Sequence, residues 1–84
     1  MQSVLVVDDE KNIREFLSKI LVQQQIEVHT AGTGREGLLV ADDLDPDVVL
    51  LDLRLPDTDW MQVLRSLKAR HPGTAVIMIT GFGQ

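Results

Sequence analysis

Four short apolar runs, separated by three stretches with helical spacing, constrain the fold of this chain more than any other feature. The runs lie at residues 3–7, 26–30, 47–53 and 75–80. Three of them contain continuous aliphatic residues, which is typical of strands buried on both faces, whereas the second alternates like a strand near a sheet edge. This order predicts an α/β fold in which helices cover both faces of a parallel sheet.

The first stretch between the apolar runs has the pattern of an amphipathic helix from Lys11 to about Gln23. Its apolar residues recur at intervals of three and four residues, which places them in one stripe along the helix. These residues are Ile13, Phe16, Leu17, Ile20 and Leu21. We expect the stripe to pack against the sheet.

The second and third helices are predicted from the residues at their ends. Thr33 and Glu36 form a capping box that opens the second helix, and residues 42–46 end it. One of residues 57–59 caps the third helix, which the His-Pro-Gly sequence at residues 71–73 ends. The buried stripe of the third helix is predicted to include Val63, Leu64 and Leu67.

The length and charge of the chain limit the classes of protein to which it can belong. Its 84 residues allow one domain, and its net charge of -5 argues against binding to DNA or to anionic lipid. The absence of cysteine excludes a disulfide framework and a thiolate metal site. No apolar run approaches the ~20 residues of a membrane helix, and Asp8 and Asp9 interrupt the first run too early for a secretion signal. We therefore expect a soluble, cytoplasmic domain that binds neither nucleic acid nor membrane.

Polar residues follow three of the predicted strands. Asp8 and Asp9 follow the first strand, Asp52 ends the third, and Thr80 ends the fourth. Asp8 and Asp9 alone could be solvated acids near a helix start, but a third acid at the end of another buried strand favours a site. In a doubly wound sheet, ligands bind beside the carboxyl ends of the strands. We expect the three carboxylates to lie close together there.

Converging carboxylates predict a bound cation. Carboxylates a few ångströms apart repel one another, and Mg²⁺ is a hard cation that prefers oxygen ligands and commonly bridges carboxylates and phosphate. Such an ion would also shield an attacking carboxylate from an incoming phosphoryl group. Asp52 fits the role of nucleophile, since aspartyl phosphates are known covalent intermediates, and the Thr80 hydroxyl could donate to a phosphoryl oxygen.

Three segments resemble the signature segments of the receiver domains of two-component response regulators. They are VLVVDDE at residues 4–10, VVLLDLRLPD at residues 48–57 and VIMITG at residues 76–81. The resemblance covers essentially all 84 residues in the same order and spacing. It implies a flavodoxin-like, doubly wound parallel sheet with strand order 2-1-3-4. The last segment and the following Phe-Gly look most like receivers attached to transcription activators.

The resemblance implies a role for each residue of the acidic cluster. Asp52 would accept a phosphoryl group from the phosphohistidine of a sensor histidine kinase and would switch an output module, without being a turnover enzyme. Asp9 would bind Mg²⁺ directly and Asp8 mainly through water, and Asp52 and the backbone carbonyl of Arg54 would complete the protein ligands. Thr80 would be the switch hydroxyl.

Two departures from the family pattern accompany this resemblance. Receivers have a fifth strand with a lysine that pairs with the phosphoryl group, preceded and followed by further helices, and the sequence to Gln84 has no counterpart of this strand or of these last helices. The family also usually has glycine where this sequence has Trp60, which is predicted to be a packing residue. We therefore expect residues 1–84 to form a single incomplete receiver domain that self-associates through the open edge of its fourth strand or is only marginally folded. The alternative function is a degenerate receiver that docks a partner independently of phosphorylation.

Two other functions fit the sequence less well than the receiver hypothesis. The glycines at positions 32, 34 and 37 match a dinucleotide fingerprint, but the strand before them alternates like an edge strand. We expect these glycines to turn the chain into the second helix. A haloacid-dehalogenase phosphatase would have an acid two residues after its nucleophile, where this chain has Arg54.

His29 and His71 have no carboxylate or second histidine at ligand spacing, so both are predicted to be surface residues.

Overall fold

The computed structural model describes residues 2–79, which form four strands and three helices. The strands are β1 (Ser3–Val7), β2 (Glu27–Ala31), β3 (Val48–Asp52) and β4 (Ala75–Ile79). The helices are α1 (Lys11–Gln23), α2 (Gly34–Leu44) and α3 (Trp60–Arg70). Strands and helices alternate along the chain, as the apolar pattern predicts.

The four strands form one parallel sheet in the order β2-β1-β3-β4. Val7 pairs with Ala31 on one side and with Leu51 on the other, so β1 and β2 end at the same level and β3 extends one residue further. The predicted α/β class and strand order are confirmed. Because β1 lies between its neighbours, the residues that follow it emerge at the centre of the carboxyl edge of the sheet.

The core lies between the sheet and the helices α2 and α3. Strand residues with side chains on one face of the sheet pack against buried residues of these helices. The fully buried members of this cluster are Leu5, Val7, Ala31, Ala41, Val49, Leu51, Val63 and Leu67. Val4 and Val6 are buried on the opposite face, so β1 is covered on both sides, as its continuous apolar run predicts.

Strand ends differ from the prediction by one residue. β2 extends to Ala31 rather than ending at Thr30, because the Asp8 N–H donates to the Ala31 carbonyl at 3.1 Å and prolongs the pairing. β3 begins after Asp47, whose carboxylate accepts the Ser3 N–H at 2.8 Å. Thr80, the predicted end of the fourth strand, lies outside the described residues.

The apolar stripe of α1 is only partly covered. Ile13, Leu17 and Leu21 are half-buried, whereas Phe16 is 55% exposed and Ile20 is 43% exposed. By helical geometry, the exposed pair lies on the flank opposite Arg14. The prediction that the whole stripe packs on the sheet is therefore wrong for this pair. Within the described sheet β4 is an edge strand, and the predicted self-association through it stays a prediction.

The glycines of the second helix provide close packing rather than a tight turn, which corrects the prediction. A Cβ on Gly37 would lie 2.9 Å from Val7 Cγ2, and one on Gly34 would lie 2.9 Å from Val63 Cγ2. Neither glycine has a positive φ, so the backbone itself would accept other residues. The missing side chains let α2 approach both β1 and α3.

Both histidines have carboxylate partners, which corrects the prediction that they are isolated. His29 Nε2 lies 2.7 Å from a carboxylate oxygen of Glu27. His71 bridges α2 and α3 at the ends of both helices, with Nε2 2.8 Å from Asp42 Oδ1 and Nδ1 3.0 Å from Asp45 Oδ1. The His71 side chain is only 9% exposed, so it is a half-buried contact between helices rather than a freely exposed surface residue.

The His71 bridge makes the stability of the fold depend on pH. Hydrogen bonds that the His71 ring donates to the carboxylates of Asp42 and Asp45 raise the pKa of His71 above its ordinary value of 6.5. The stabilisation is therefore complete below pH 6.5 and is lost as the pH rises through the folded pKa. We expect His71→Gln to be less stable than wild type at pH 5.5. The difference in free energy of unfolding between the two proteins should be roughly 0.5–1 kcal/mol larger at pH 5.5 than at pH 8.5. Urea denaturation at both pH values measures this, and a difference between the two proteins that does not change with pH would contradict it.

No helix between residues 2 and 79 is long and apolar enough to cross a membrane.

Candidate functional site

Three acids meet at the carboxyl edge of the sheet, as the sequence predicts. Asp8, Asp9 and Asp52 each place a carboxylate oxygen within 4.8 Å of the other two. Asp8 is 2% exposed, Asp52 is half-buried and Asp9 is exposed, so the cluster opens to solvent on one side. Among residues 2–79, no other group of three acids or histidines has metal-ligand spacing.

The strand register brings these acids together. Val7 and Leu51 are paired, so the next residues, Asp8 directly after β1 and Asp52 at the last position of β3, lie side by side. Asp8 turns the chain towards α1, since its Oδ1 accepts the Glu10 N–H at 2.9 Å. This turn directs Asp9 towards the same edge of the sheet.

The environment of the cluster disfavours negative charge. Burial raises the pKa of Asp8 most, the Glu10 N–H opposes this effect, and the charge on Asp9 raises it further. Burial also raises the pKa of Asp52, the Arg54 N–H opposes it, and the charges on Asp8 and Asp9 add to the rise. A positive ion among these carboxylates would remove the main electrostatic cost.

The donor set fits a hard divalent cation. All three side chains offer carboxylate oxygens, and the described part of the cluster contains no imidazole or thiolate that would favour a softer metal. The exposed side of the cluster leaves room for the waters that Mg²⁺ keeps. The side chain of Arg54 is exposed in the loop after β3, next to this opening. Thr80, the fourth predicted site residue, lies outside the described residues.

Asp57 has a role that the sequence analysis missed. We expected one of residues 57–59 to cap the third helix, and Asp59 does so by accepting the Met61 N–H. Asp57 instead reaches the start of α2, where its carboxylate accepts the N–H groups of Gly34 and Arg35 at 2.8 and 2.9 Å. These bonds hold the pKa of Asp57 below its ordinary value.

This contact also bears on the dinucleotide hypothesis. A dinucleotide fingerprint needs the amides at the start of its helix to bind pyrophosphate. Here the carboxylate of Asp57 already accepts the first two of these N–H groups. The start of α2 is therefore occupied by a protein anion.

Comparison with known proteins identifies the family. The family model of the response regulator receiver domain matches residues 4–84. The chain belongs to this family. Receiver domains are signalling domains of two-component systems, where they work with sensor histidine kinases and with fused output domains. Neither the dinucleotide-binding nor the dehalogenase hypothesis is retained.

Individual relatives agree with this assignment. The chain is 38% identical over 81 residues to the regulatory protein AtoC of Escherichia coli K12, covering 96% of the chain and 18% of AtoC. It is 40% identical over 78 residues to the probable transcriptional regulatory protein TcrX of Mycobacterium tuberculosis, covering 93% of the chain and 33% of TcrX. The chain thus spans a third or less of the length of these relatives.

A solved receiver gives the corresponding structural comparison. The response regulator TrrA of Thermotoga maritima, in complex with Mg²⁺ and BeF, superimposes with a TM-score of 0.90 at 32% identity. The match covers 99% of this chain and 72% of TrrA. The sheet order and the CheY-like, flavodoxin-like fold are therefore those of receivers.

Proposed function

We propose that this receiver accepts a phosphoryl group on Asp52 from the phosphohistidine of a sensor histidine kinase and passes the signal to an output module. The observation that supports this most is the approach of the Asp8, Asp9 and Asp52 carboxylates to within 4.8 Å. One half-buried acid beside two others is the arrangement that phosphoryl transfer to a carboxylate needs, provided that a cation balances the charge.

Asp52 acts as the nucleophile in this proposal. One of its carboxylate oxygens forms a bond to phosphorus while the nitrogen–phosphorus bond of the phosphohistidine breaks, and the electron pair returns to the imidazole. The product is an acyl phosphate on Asp52. Its position at the end of β3, in the middle of the sheet, holds the carboxylate in place for this step.

The remaining residues would hold Mg²⁺. Asp9 is exposed and would bind the ion directly, Asp8 mainly through water, and Asp52 and the backbone carbonyl of Arg54 would complete the set. When bound, Mg²⁺ supplies positive charge that offsets the repulsion between the acids and the incoming phosphoryl group. The complex of TrrA with Mg²⁺ and BeF supports this choice of ion.

The switch and the output extend beyond the described residues. Thr80 is proposed as the hydroxyl that donates to the phosphoryl group. The name of TcrX, a probable transcriptional regulatory protein, supports an output in gene regulation, and AtoC and TcrX are about three or more times longer than the match. We propose that the output module, rather than this acidic segment, makes any contact with DNA.

Substitution of the nucleophile tests the proposal. In the full-length protein, Asp52→Asn should lower phosphoryl labelling by a small-molecule donor and Mg²⁺ at least a hundredfold, because an amide cannot form the acyl phosphate. Asp43→Asn, which neutralises an exposed acid on α2, is the matched control and should label like wild type. Equal labelling of the Asp52→Asn variant, or none of the wild type, would contradict the assignment.

Trp60 gives a second candidate function and a means to distinguish it. Trp60 is a half-buried residue at the start of α3 and follows the loop after Asp52. The family usually has glycine at this position. A receiver that docks a partner independently of phosphorylation would show no change in Trp60 fluorescence with Mg²⁺ and beryllofluoride. A receiver that accepts phosphate would respond to both.

A further inference from the structure

Arg14 holds the peptide group that joins two of the clustered acids. Its Nη1 donates a hydrogen bond to the backbone carbonyl of Asp8 at 2.7 Å, in a partly buried position. This carbonyl belongs to the peptide between Asp8 and Asp9. A bond from α1 therefore sets the orientation of this peptide, and with it the directions in which the two side chains leave the backbone.

Asp8 is also held at its other polar groups. Its N–H donates to the carbonyl of Ala31 at the end of β2, and its carboxylate accepts the Glu10 N–H. These bonds tie Asp8 to the strand before the peptide and to the turn after it. The bond from Arg14 is the contact that fixes the carbonyl between them.

Gly32 makes room for the guanidinium group. A Cβ on this residue would lie 3.2 Å from Nη1 and 3.6 Å from Cζ of Arg14. Gly32 has no positive φ, so the backbone would accept alanine, and the constraint comes from the neighbouring side chain. The absence of a side chain at Gly32 and the position of Arg14 are therefore matched to each other.

Arg14 has two opposing effects on a cation at the cluster. Its charge repels the cation, whereas its hydrogen bond orients the acids that bind it. Groups that orient metal ligands commonly change metal affinity about tenfold or more, so we expect the orienting effect of Arg14 to exceed the repulsion by its charge.

We propose that Arg14 is a positioning residue for the divalent-cation site, which it organises by holding the peptide between Asp8 and Asp9. This inference rests on the proposed function, since it assumes that the cluster binds Mg²⁺. It predicts that removing a positive charge beside the cation site weakens cation binding. Simple charge repulsion predicts the opposite.

Calorimetric titration of the full-length protein with Mg²⁺ alone tests the inference. We expect Arg14→Met and Arg14→Lys each to raise the Kd for Mg²⁺ roughly tenfold, because neither side chain reproduces the guanidinium bond to the Asp8 carbonyl. Lys11→Met removes the same charge from the first turn of α1 and should leave the Kd unchanged or lower it. Urea denaturation without Mg²⁺ separates this effect from a general loss of stability.

Gly32→Ala tests the same contact by changing the residue against which the Arg14 guanidinium packs. The added methyl group should displace the guanidinium and raise the Kd about threefold in wild type, but should have no further effect in Arg14→Met. This non-additivity would link Gly32 to the cation site through Arg14.

The outcomes distinguish the inference from the function on which it rests. If wild type fails to bind Mg²⁺, the proposed function fails and the inference fails with it. If wild type binds Mg²⁺ and the Arg14 variants bind equally or more tightly, the inference alone is overturned. If the Arg14 variants do not fold, an unchanged Kd in Gly32→Ala overturns it, and a raised Kd supports it.

Discussion

Replacing Gly34 with alanine should lower the free energy of unfolding by about 2 kcal/mol, since packing an extra methyl group into a filled site costs ~1–3 kcal/mol. The new Cβ would lie 2.9 Å from Val63 Cγ2 and closer still to the methyl group of Thr58. Gly34 begins α2, and the loop after Asp52 covers it, so neither side can move without breaking contacts of the other. Valine at this position should be more destabilising than alanine. Urea denaturation followed by Trp60 fluorescence measures the effect.

Gly73 provides the matched control for this experiment. No atom lies within 4 Å of the position that its Cβ would occupy, and its φ is not positive. Gly73→Ala should therefore leave the stability unchanged or raise it by up to ~1 kcal/mol through a less flexible unfolded chain. Similar losses in Gly34→Ala and Gly73→Ala would show that backbone freedom, rather than packing, requires glycine at position 34.

Replacing Asp8 with asparagine should stabilise the fold without metal and remove its stabilisation by Mg²⁺. Burial and neighbouring acids raise the folded pKa of Asp8, so its favourable contribution is complete only below the ordinary value of 3.8 and is lost as the pH rises through the folded pKa. At pH 7 the charged carboxylate therefore costs stability. Two charges a few ångströms apart repel by a few kcal/mol at an effective dielectric constant of about 20, and we expect about 1 kcal/mol of net gain.

Urea denaturation with and without Mg²⁺ at pH 7 tests the prediction for Asp8→Asn. Asparagine keeps the oxygen that accepts the Glu10 N–H, so the turn before α1 should remain. Wild type should gain stability as the Mg²⁺ concentration exceeds its Kd, and Asp8→Asn should gain little. The control variant Asp43→Asn, which neutralises an exposed acid on α2, should behave like wild type. A destabilised Asp8→Asn variant without metal would contradict the expected repulsion.

Local patterns in the sequence predict most of the fold. The seven elements follow from apolar periodicity and from cap residues such as Thr33, whose hydroxyl accepts the Glu36 N–H. These signals act over a few residues, so they can be recognised without tertiary structure. The convergence of Asp8 with Asp52 was also predictable, because the carboxyl ends of neighbouring parallel strands meet at one edge.

Contacts between distant segments were not predictable in the same way. The sequence does not show that Asp57 caps α2 rather than α3, because the two bonds span more than twenty residues and depend on how the helices pack. The same holds for His71 and its partners on α2. The packing role of Gly34 was missed because a glycine before a helix has a simpler local explanation as a turn residue.

The two hydrogen bonds that Asp57 accepts at the start of α2 make the donating amide protons reporters of local opening. The N–H groups of Gly34 and Arg35 are bonded to a carboxylate in the loop after Asp52, not to their own helix. Their exchange with solvent therefore requires opening of that loop or of its contact with α2. Hydrogen exchange at these two amides would therefore measure local opening of the loop after Asp52, observed from α2.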